Sequence, residues 1–205
     1  MALAVQSPTP RIVLADNDLI VDLAALQGLW TLEQYLRLTN IHKQPIEFTD
    51  GRLEFLPMPT RRHQAILGFL YRLLFAWLEA RGGTVFFMGL RVQIRPGKIR
   101  EPDLVVLLDA GDPRGEDAFF LGADLVMEIV SPDKPARDLV EKVADYAEAR
   151  IPEYWIVNPL DATITVLRLA GAGYEAHGVF GRDATATSAL LPGFAVPVAA
   201  VLDAH

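Results

Sequence analysis

Charged side chains recur in this chain where the surrounding sequence is apolar. Asp103 opens the run Leu104-Val105-Val106-Leu107-Leu108, just after Glu101-Pro102. Glu128 interrupts Leu125-Val126-Met127-Glu128-Ile129-Val130, and Lys142 follows within the segment from Asp138 to Tyr146. A carboxylate in apolar surroundings is costly unless a cation or a metal compensates it. Two carboxylates plus a lysine are the minimal kit for magnesium-dependent phosphodiester hydrolysis: the acids hold an ion that activates water.

Each of these residues has a plainer alternative. Asp103 alone reads as a solvated acid at a strand start; beside Glu128 the metal-ligand reading is favoured. Glu128 shares a face with Val126 and Val130 by strand alternation, and its alternative is a buried ion pair to an arginine. The carbonyl of Ile129 is a further candidate ligand for Mg²⁺ or Mn²⁺. Glu47 either completes the metal shell or is a hairpin charge. His63, at a helix start, could touch a phosphate or accept a proton, its unperturbed pKa being near neutral; otherwise it is a polar helix-start residue. Tyr146 and Trp155 read as core. His42, His177 and His205 show no ligand spacing, and Ser131 has no partner base nearby, which argues against a serine hydrolase.

The elements that would position these groups follow from periodicity. Residues 1–29 show no clear period and read as an irregular arm, leaving residues 30–205 as one domain. Thr31–Leu38 reads as a short capped helix. Ile46–Phe55 is a hairpin signal around Asp50-Gly51. A long helix over Arg62–Ala80 carries Ile66, Leu67, Leu70, Leu73, Leu74, Trp77 and Leu78 at helical spacing, and Gly82-Gly83 stops it. Thr84–Met88 and Arg91–Arg95 read as strands joined by a turn at Gly89. Leu104–Leu108 and Leu125–Val130 are continuous apolar runs, as in strands covered on both faces. Asp138–Ala149 reads as a helix with Leu139, Val143, Tyr146 and Ala147 on one face. Tyr154–Val157 is a strand, and the unit over residues 124–158 is expected to be a right-handed parallel crossover. Thr163–Leu169 and Tyr174–Phe180 form a second hairpin. The expected fold class is α/β, or α+β, with a central mixed sheet flanked by helices.

The 205 residues are 51% hydrophobic, enough for one ordinary core. Cysteine is absent, which excludes disulfides, cysteine zinc sites and cysteine nucleophiles and suits a reducing cytoplasm. No stretch approaches the roughly 18 apolar residues of a membrane span, and the first ten residues lack a secretory pattern. The net charge of −7 speaks mildly against a nucleic-acid coat protein. The distribution is uneven: residues 52–100 hold nine basic and two acidic residues, net +7, against −14 elsewhere. That block could meet phosphates, or be a solvated arginine-rich surface. Its candidate nucleic-acid contacts are Arg61, Arg62, Arg91, Arg95, Lys98 and Arg100.

Several motifs in this order resemble the Uma-type family of bacterial putative restriction endonucleases, within the PD-(D/E)XK nuclease superfamily. They are Glu47-Phe48-Thr49-Asp50-Gly51-Arg52-Leu53, His63, Pro102-Asp103, Glu128-Ile129-Val130-Ser131-Pro132, Asp138 with Lys142 and Tyr146, and Pro152-Glu153-Tyr154-Trp155-Ile156-Val157. The resemblance spans about residues 31–200. It implies a restriction-endonuclease-like core and a metal-dependent nuclease with DNA as partner; homodimers are common in this fold. The superfamily pattern would place lysine at position 130, where this chain has Val130. The resemblance implies that Lys142, on the next helix, supplies the catalytic ammonium. Lys142 could instead pair with Asp138 or Asp145 on the helix surface, and Asp138 could cap the helix or orient Lys142. Two other functions stay open: a nuclease fold that binds or regulates without cutting, and a phosphohydrolase acting on RNA or nucleotides. Fold alone does not choose among them.

Overall fold

The computed structural model describes residues 11–14, 19–42, 44–87 and 89–205. The first elements are an antiparallel strand pair, β1 (Arg11–Leu14) and β2 (Leu19–Asp22), a 3-10 turn over Leu23–Leu26, and helix α1 (Leu32–Ile41). A hairpin of β3 (Ile46–Thr49) and β4 (Arg52–Phe55) leads into helix α2 (Arg61–Glu79). Strands β5 (Thr84–Phe87), β6 (Val92–Arg95), β7 (Lys98–Arg100), β8 (Leu104–Leu107) and β9 (Leu125–Ile129) follow. A π-helical turn over Arg137–Glu141 continues into α3 (Lys142–Glu148). The chain ends with β10 (Glu153–Asn158), β11 (Thr163–Ala170), β12 (Gly173–Gly181), β13 (Thr185–Thr187), β14 (Ala195–Pro197) and α4 (Val198–Leu202).

The main sheet has six strands in the order β12-β11-β10-β9-β8-β5. Only β9 and β10 run parallel, joined through α3; the other neighbours are antiparallel, so the sheet is mixed as expected. Every residue of β8, β9 and β10 is buried, which explains their unbroken apolar runs. Alternation sorts their side chains. Leu104, Val106, Leu125, Met127, Trp155 and Val157 pack under α2 and the C-terminal elements. Val105, Leu107, Val126, Tyr154 and Ile156 pack with Tyr146 of α3. Glu128 falls on this second face with Val126 and Val130, because strand neighbours two apart point the same way.

A second sheet, β4-β3-β7-β6, packs Ile46, Phe48, Leu53 and Ile99 against Tyr35 of α1. Its hairpin turns on Asp50 and Gly51, whose φ values of 46° and 78° are those of a two-residue primed turn. Gly51 has a second constraint. A Cβ there would lie 2.6 Å from the Gly28 carbonyl oxygen, so the residue after Asp50 must be glycine.

Three expectations change. The N-terminal segment is not wholly irregular, since β1 and β2 pair in it; its first ten residues lie outside the described set. The strands either side of Gly89 do not pair with each other. β5 pairs with β8 at the edge of the large sheet, whereas β6 pairs with β7 in the small one. Alternation shows a strand but not its partner. The third change concerns Asp138–Ala149, which begins as a π turn in which the Lys142 N–H bonds the Arg137 carbonyl. The wide turn moves Leu139 outward, to 41% exposure, and brings Arg137, Asp138, Lys142 and Asp145 inward. The buried face of this segment is therefore largely charged.

At the start of β10, Glu153 is a fully buried acid satisfied without a cation. Its Oε1 accepts from Trp155 Nε1 at 2.6 Å and Ser188 Oγ at 2.5 Å; its Oε2 accepts from the N–H groups of Ala189 and Leu190 at 2.7 and 2.8 Å. The carboxylate ties β10 to the C-terminal loop. Glu153→Gln replaces an acceptor with a donor that faces donors, and is expected to cost about 2–4 kcal/mol in urea denaturation; a loss below about 0.5 kcal/mol would show that the clamp is not needed.

Candidate active site

β8 and β9 bring the two acids together. Their antiparallel register pairs Leu104 with Met127, and one more step sets Asp103 across from Glu128. Asp103 Oδ2 accepts the Ile129 N–H at 2.7 Å, which continues the ladder by a side chain where β8 starts. It also lies 3.1 Å from His63 Nε2. A carboxylate only accepts, so the imidazole donates this bond through Nε2. The His63 Nδ1 is buried without a hydrogen-bond partner among the described residues.

Lys142 arrives from the far side of the crossover. Its ammonium lies 2.7 Å from Glu128 Oε1, 3.3 Å from Asp138 Oδ1 and 3.5 Å from Glu47 Oε1. Glu128 Oε1 accepts a second bond from the Tyr146 hydroxyl. All four of Glu47, Glu128, Asp138 and Lys142 are buried, at 1–3% exposure, and Asp103 is at 8%. Lys142 thus does pair with Asp138, but inside the fold and as part of a cluster. Asp145 pairs elsewhere, with Lys98 and Arg100.

Charge is unevenly balanced here. Burial pushes the Glu128 carboxyl up, and Asp103 and Asp138 add to it while Lys142 opposes. Burial alone would lower the Lys142 ammonium, but Glu128, Glu47 and Asp138 outweigh it and hold it above the ordinary lysine range. Burial leads for Glu128, whereas for Lys142 the crowd of carboxylates wins and the ammonium stays charged. Burial, then Glu128, raises the Tyr146 hydroxyl, so it remains a donor. Glu101 also lines the site. Burial and then Glu47 push its carboxyl up to about 7.

His63, Glu101, Asp103, Glu128, Asp138 and Lys142 line the floor of a cavity of about 220 Å³, with Glu47 and Tyr146 behind it. Whether they fit a divalent cation can be judged from the donors. Oε1 of Glu128 is taken by Lys142 and Tyr146, leaving Oε2 without a described partner. Both protein bonds to Asp103 go to Oδ2, leaving Oδ1. Among the described residues no group of three or more His, Cys, Asp or Glu side chains is placed to enclose a metal. Two carboxylates with spare oxygens and excess negative charge fit a magnesium-like ion, which takes one or two carboxylates and fills its shell with water and phosphate. They do not fit a closed protein cage.

The six candidate phosphate contacts do not stay together. Arg95 pairs with Asp50 and Glu148, Lys98 with Asp145 and Glu148, and Arg100 with Asp145, near Glu47. These three fasten the small sheet to α3. Arg91 donates to Asn40. Arg61 and Arg62 are exposed at the start of α2, and Arg62 lines the cavity. Sequence reasoning gave no place to Arg137, whose buried side chain lines the same cavity, nor to the Tyr146 bond to Glu128. Arg137 is brought in by the π turn, which has no sequence signature. Tyr146 stands four residues after Lys142 and belongs to the same motif, but its apolar helix face reads as core and gives no sign of a hydroxyl bond to Glu128.

Residues 32–199 match the model of the Uma2 family, described as "Putative restriction endonuclease". The chain belongs to the Uma2 family. Uma2 membership and the fold together support a nuclease. A crystal structure of a putative nuclease belonging to DUF820 from Anabaena variabilis ATCC 29413 is similar to this Uma2 chain, with a TM-score of 0.70 and 22% identity over 84% of this chain and 97% of that one. At that identity the likeness shows the fold. No curated protein matches the chain. No helix among the described residues is long and apolar enough to cross a membrane.

Two outcomes follow from the charge cluster. Lys142→Met strands buried carboxylates and is expected to lower stability by about 3–5 kcal/mol in urea; a neutral result would show that the cluster tolerates losing its cation. The second concerns pH. Glu101 holds its proton to about pH 7 when folded, against an ordinary value of 4.5. The folded state therefore binds more protons across that window, and stability is lost as pH rises through it. In EDTA, Glu101→Gln is expected to remove about 2–3 kcal/mol of this loss between pH 5 and 8. Parallel pH profiles for the variant and the wild type would contradict the assignment.

Proposed function

We propose that this protein is a metal-dependent endonuclease that hydrolyses DNA phosphodiester bonds. The observation that carries the reading is the delivery of a helix lysine onto the strand carboxylate Glu128, itself across from Asp103, at the floor of one cavity. Asp103 and Glu128 would hold Mg²⁺ or Mn²⁺, with the Ile129 carbonyl as a further oxygen. Such an ion, when bound, polarises a phosphate and lowers the pKa of a coordinated water.

The protein's own groups supply the rest. Lys142 keeps its charge and sets the orientation of Glu128, while standing where negative charge develops on the phosphate. Tyr146 donates to the same carboxylate oxygen and fixes its rotamer. His63 holds Asp103 through Nε2, and in the neutral ring its free Nδ1 can accept a proton. Glu47 and Asp138 keep Lys142 charged. Arg62 at the mouth and Arg137 within offer cationic contacts to the strand's phosphates; Arg61 and Arg91 remain as outer contacts, which position a backbone without reading sequence.

The test is plasmid and oligonucleotide cleavage with Mg²⁺, Mn²⁺ or EDTA. Asp103→Asn keeps the shape and an acceptor for the Ile129 N–H while removing the charge. Cleavage is expected in either metal, to stop in EDTA, and to fall about 100-fold or more in Asp103→Asn with an unchanged melting curve. Full activity in EDTA, or in Asp103→Asn, would overturn the reading.

A further inference from the structure

We infer that the strand this site takes is unpaired: the substrate is single-stranded nucleic acid, with a base set against an apolar lip beside the reacting phosphate. The inference rests on the nuclease reading above and narrows its substrate.

The first observation is depth. Asp103, Glu128 and Lys142 are 8%, 3% and 1% exposed, at the floor of a cavity of about 220 Å³. A phosphate must enter that cavity to meet them. A duplex is stiff over a persistence length of about 50 nm and carries its partner strand with it, whereas a single strand can bend one phosphate down into a recess.

The second observation is that floor and lip differ in chemistry. The floor is charged. The lip is taken as Pro57, Met58 and Pro59 from the β4–α2 connection and Pro132, Pro159 and Leu160 at the ends of β9 and β10, all exposed or half-buried apolar residues lining the same cavity. Met58 and Leu160 are 66% and 55% exposed, although both are large and apolar. Prolines carry no N–H, so they present ring faces and no donor to a phosphate. A nucleotide has the matching pair of surfaces, a charged phosphate and a flat base, but the base face is available only when unpaired. Stacking of this kind tolerates any base.

The third observation is the missing electrostatic track. Duplex binding relies on many phosphates neutralised by Lys and Arg. Here Arg95, Lys98 and Arg100 are committed to Asp50, Asp145 and Glu148, and the chain carries −7 overall. At the cavity Arg137 pairs with Glu54 and Asp138 at 3.7 and 3.8 Å, and Arg62 at the mouth has no acid partner among the described residues; these two are enough for a short stretch of one strand.

The experiment compares hydrolysis of four substrates by the full chain in Mg²⁺ and Mn²⁺. They are a labelled single strand, its blunt duplex, the same single strand with abasic sites, and bis(p-nitrophenyl) phosphate, which has no nucleobase. The single strand is expected to be cut about tenfold or more faster than the duplex and than the abasic strand. In Met58→Ser and Leu160→Ser, the ratio of kcat/KM for the single strand to that for bis(p-nitrophenyl) phosphate is expected to fall about tenfold. Equal rates on duplex and single strand, or no penalty for removing the bases, would overturn the inference and leave the nuclease standing. Hydrolysis of none of the four would overturn the nuclease reading and this inference with it. The comparison among wild-type substrates decides even where a variant fails to fold.

Discussion

One buried ammonium joins the parts of this protein. Lys142 sits on the crossover helix, within 3.5 Å of carboxylates from three places: Glu128 on a central strand of the large sheet, Glu47 on the small sheet, and Asp138 on the π turn. Stripping water from such groups is expensive, and one ammonium within reach of all three carboxylates offsets part of that cost. The crossover, both sheets and the turn must therefore hold their relative positions for any of the four to be tolerated. The requirements of stability and of the site coincide.

A second set of ion pairs surrounds the first. Asp145 accepts from Lys98 and Arg100, and Arg95 bridges Asp50 and Glu148, so the small sheet is fastened to the face of α3 that adjoins Lys142. This changes the meaning of the basic block. A count of arginines suggests a surface for phosphates, but half of the candidate contacts neutralise acids of the same chain. The cationic groups left near the cavity are few, and they stand at its entrance and wall rather than along a groove.

The π turn shows how the local backbone serves the site. An α-helix through Asp138–Ala149 would bury Leu139 with Val143 and Tyr146, an ordinary amphipathic solution. The wide turn instead leaves Leu139 and Val140 in solvent and turns Arg137 and Asp138 inward. Such turns are rare and recur at functional sites. Here the exposed leucine and valine are the visible cost of presenting charged residues to Glu128.

The sequence by itself determined the elements whose side-chain period is strong. Continuous apolar runs marked β8 and β9 as covered on both faces, helical spacing marked α2, and Asp50-Gly51 marked the primed turn, because each signal lies within a few residues. It also singled out Asp103, Glu128 and Lys142 as charges too costly to leave unpaired. The tertiary structure decided what depends on partners distant in the chain. It put β5 and β6 in different sheets, since alternation does not name a neighbour. It bonded Tyr146 and Lys142 to one oxygen of Glu128, committed Arg95, Lys98 and Arg100 to acids some 45–50 residues away, and brought proline-rich loops together as a lip. Local propensity acts over a turn or a strand, whereas the pairing of buried charges is set by which surfaces the whole fold brings into contact.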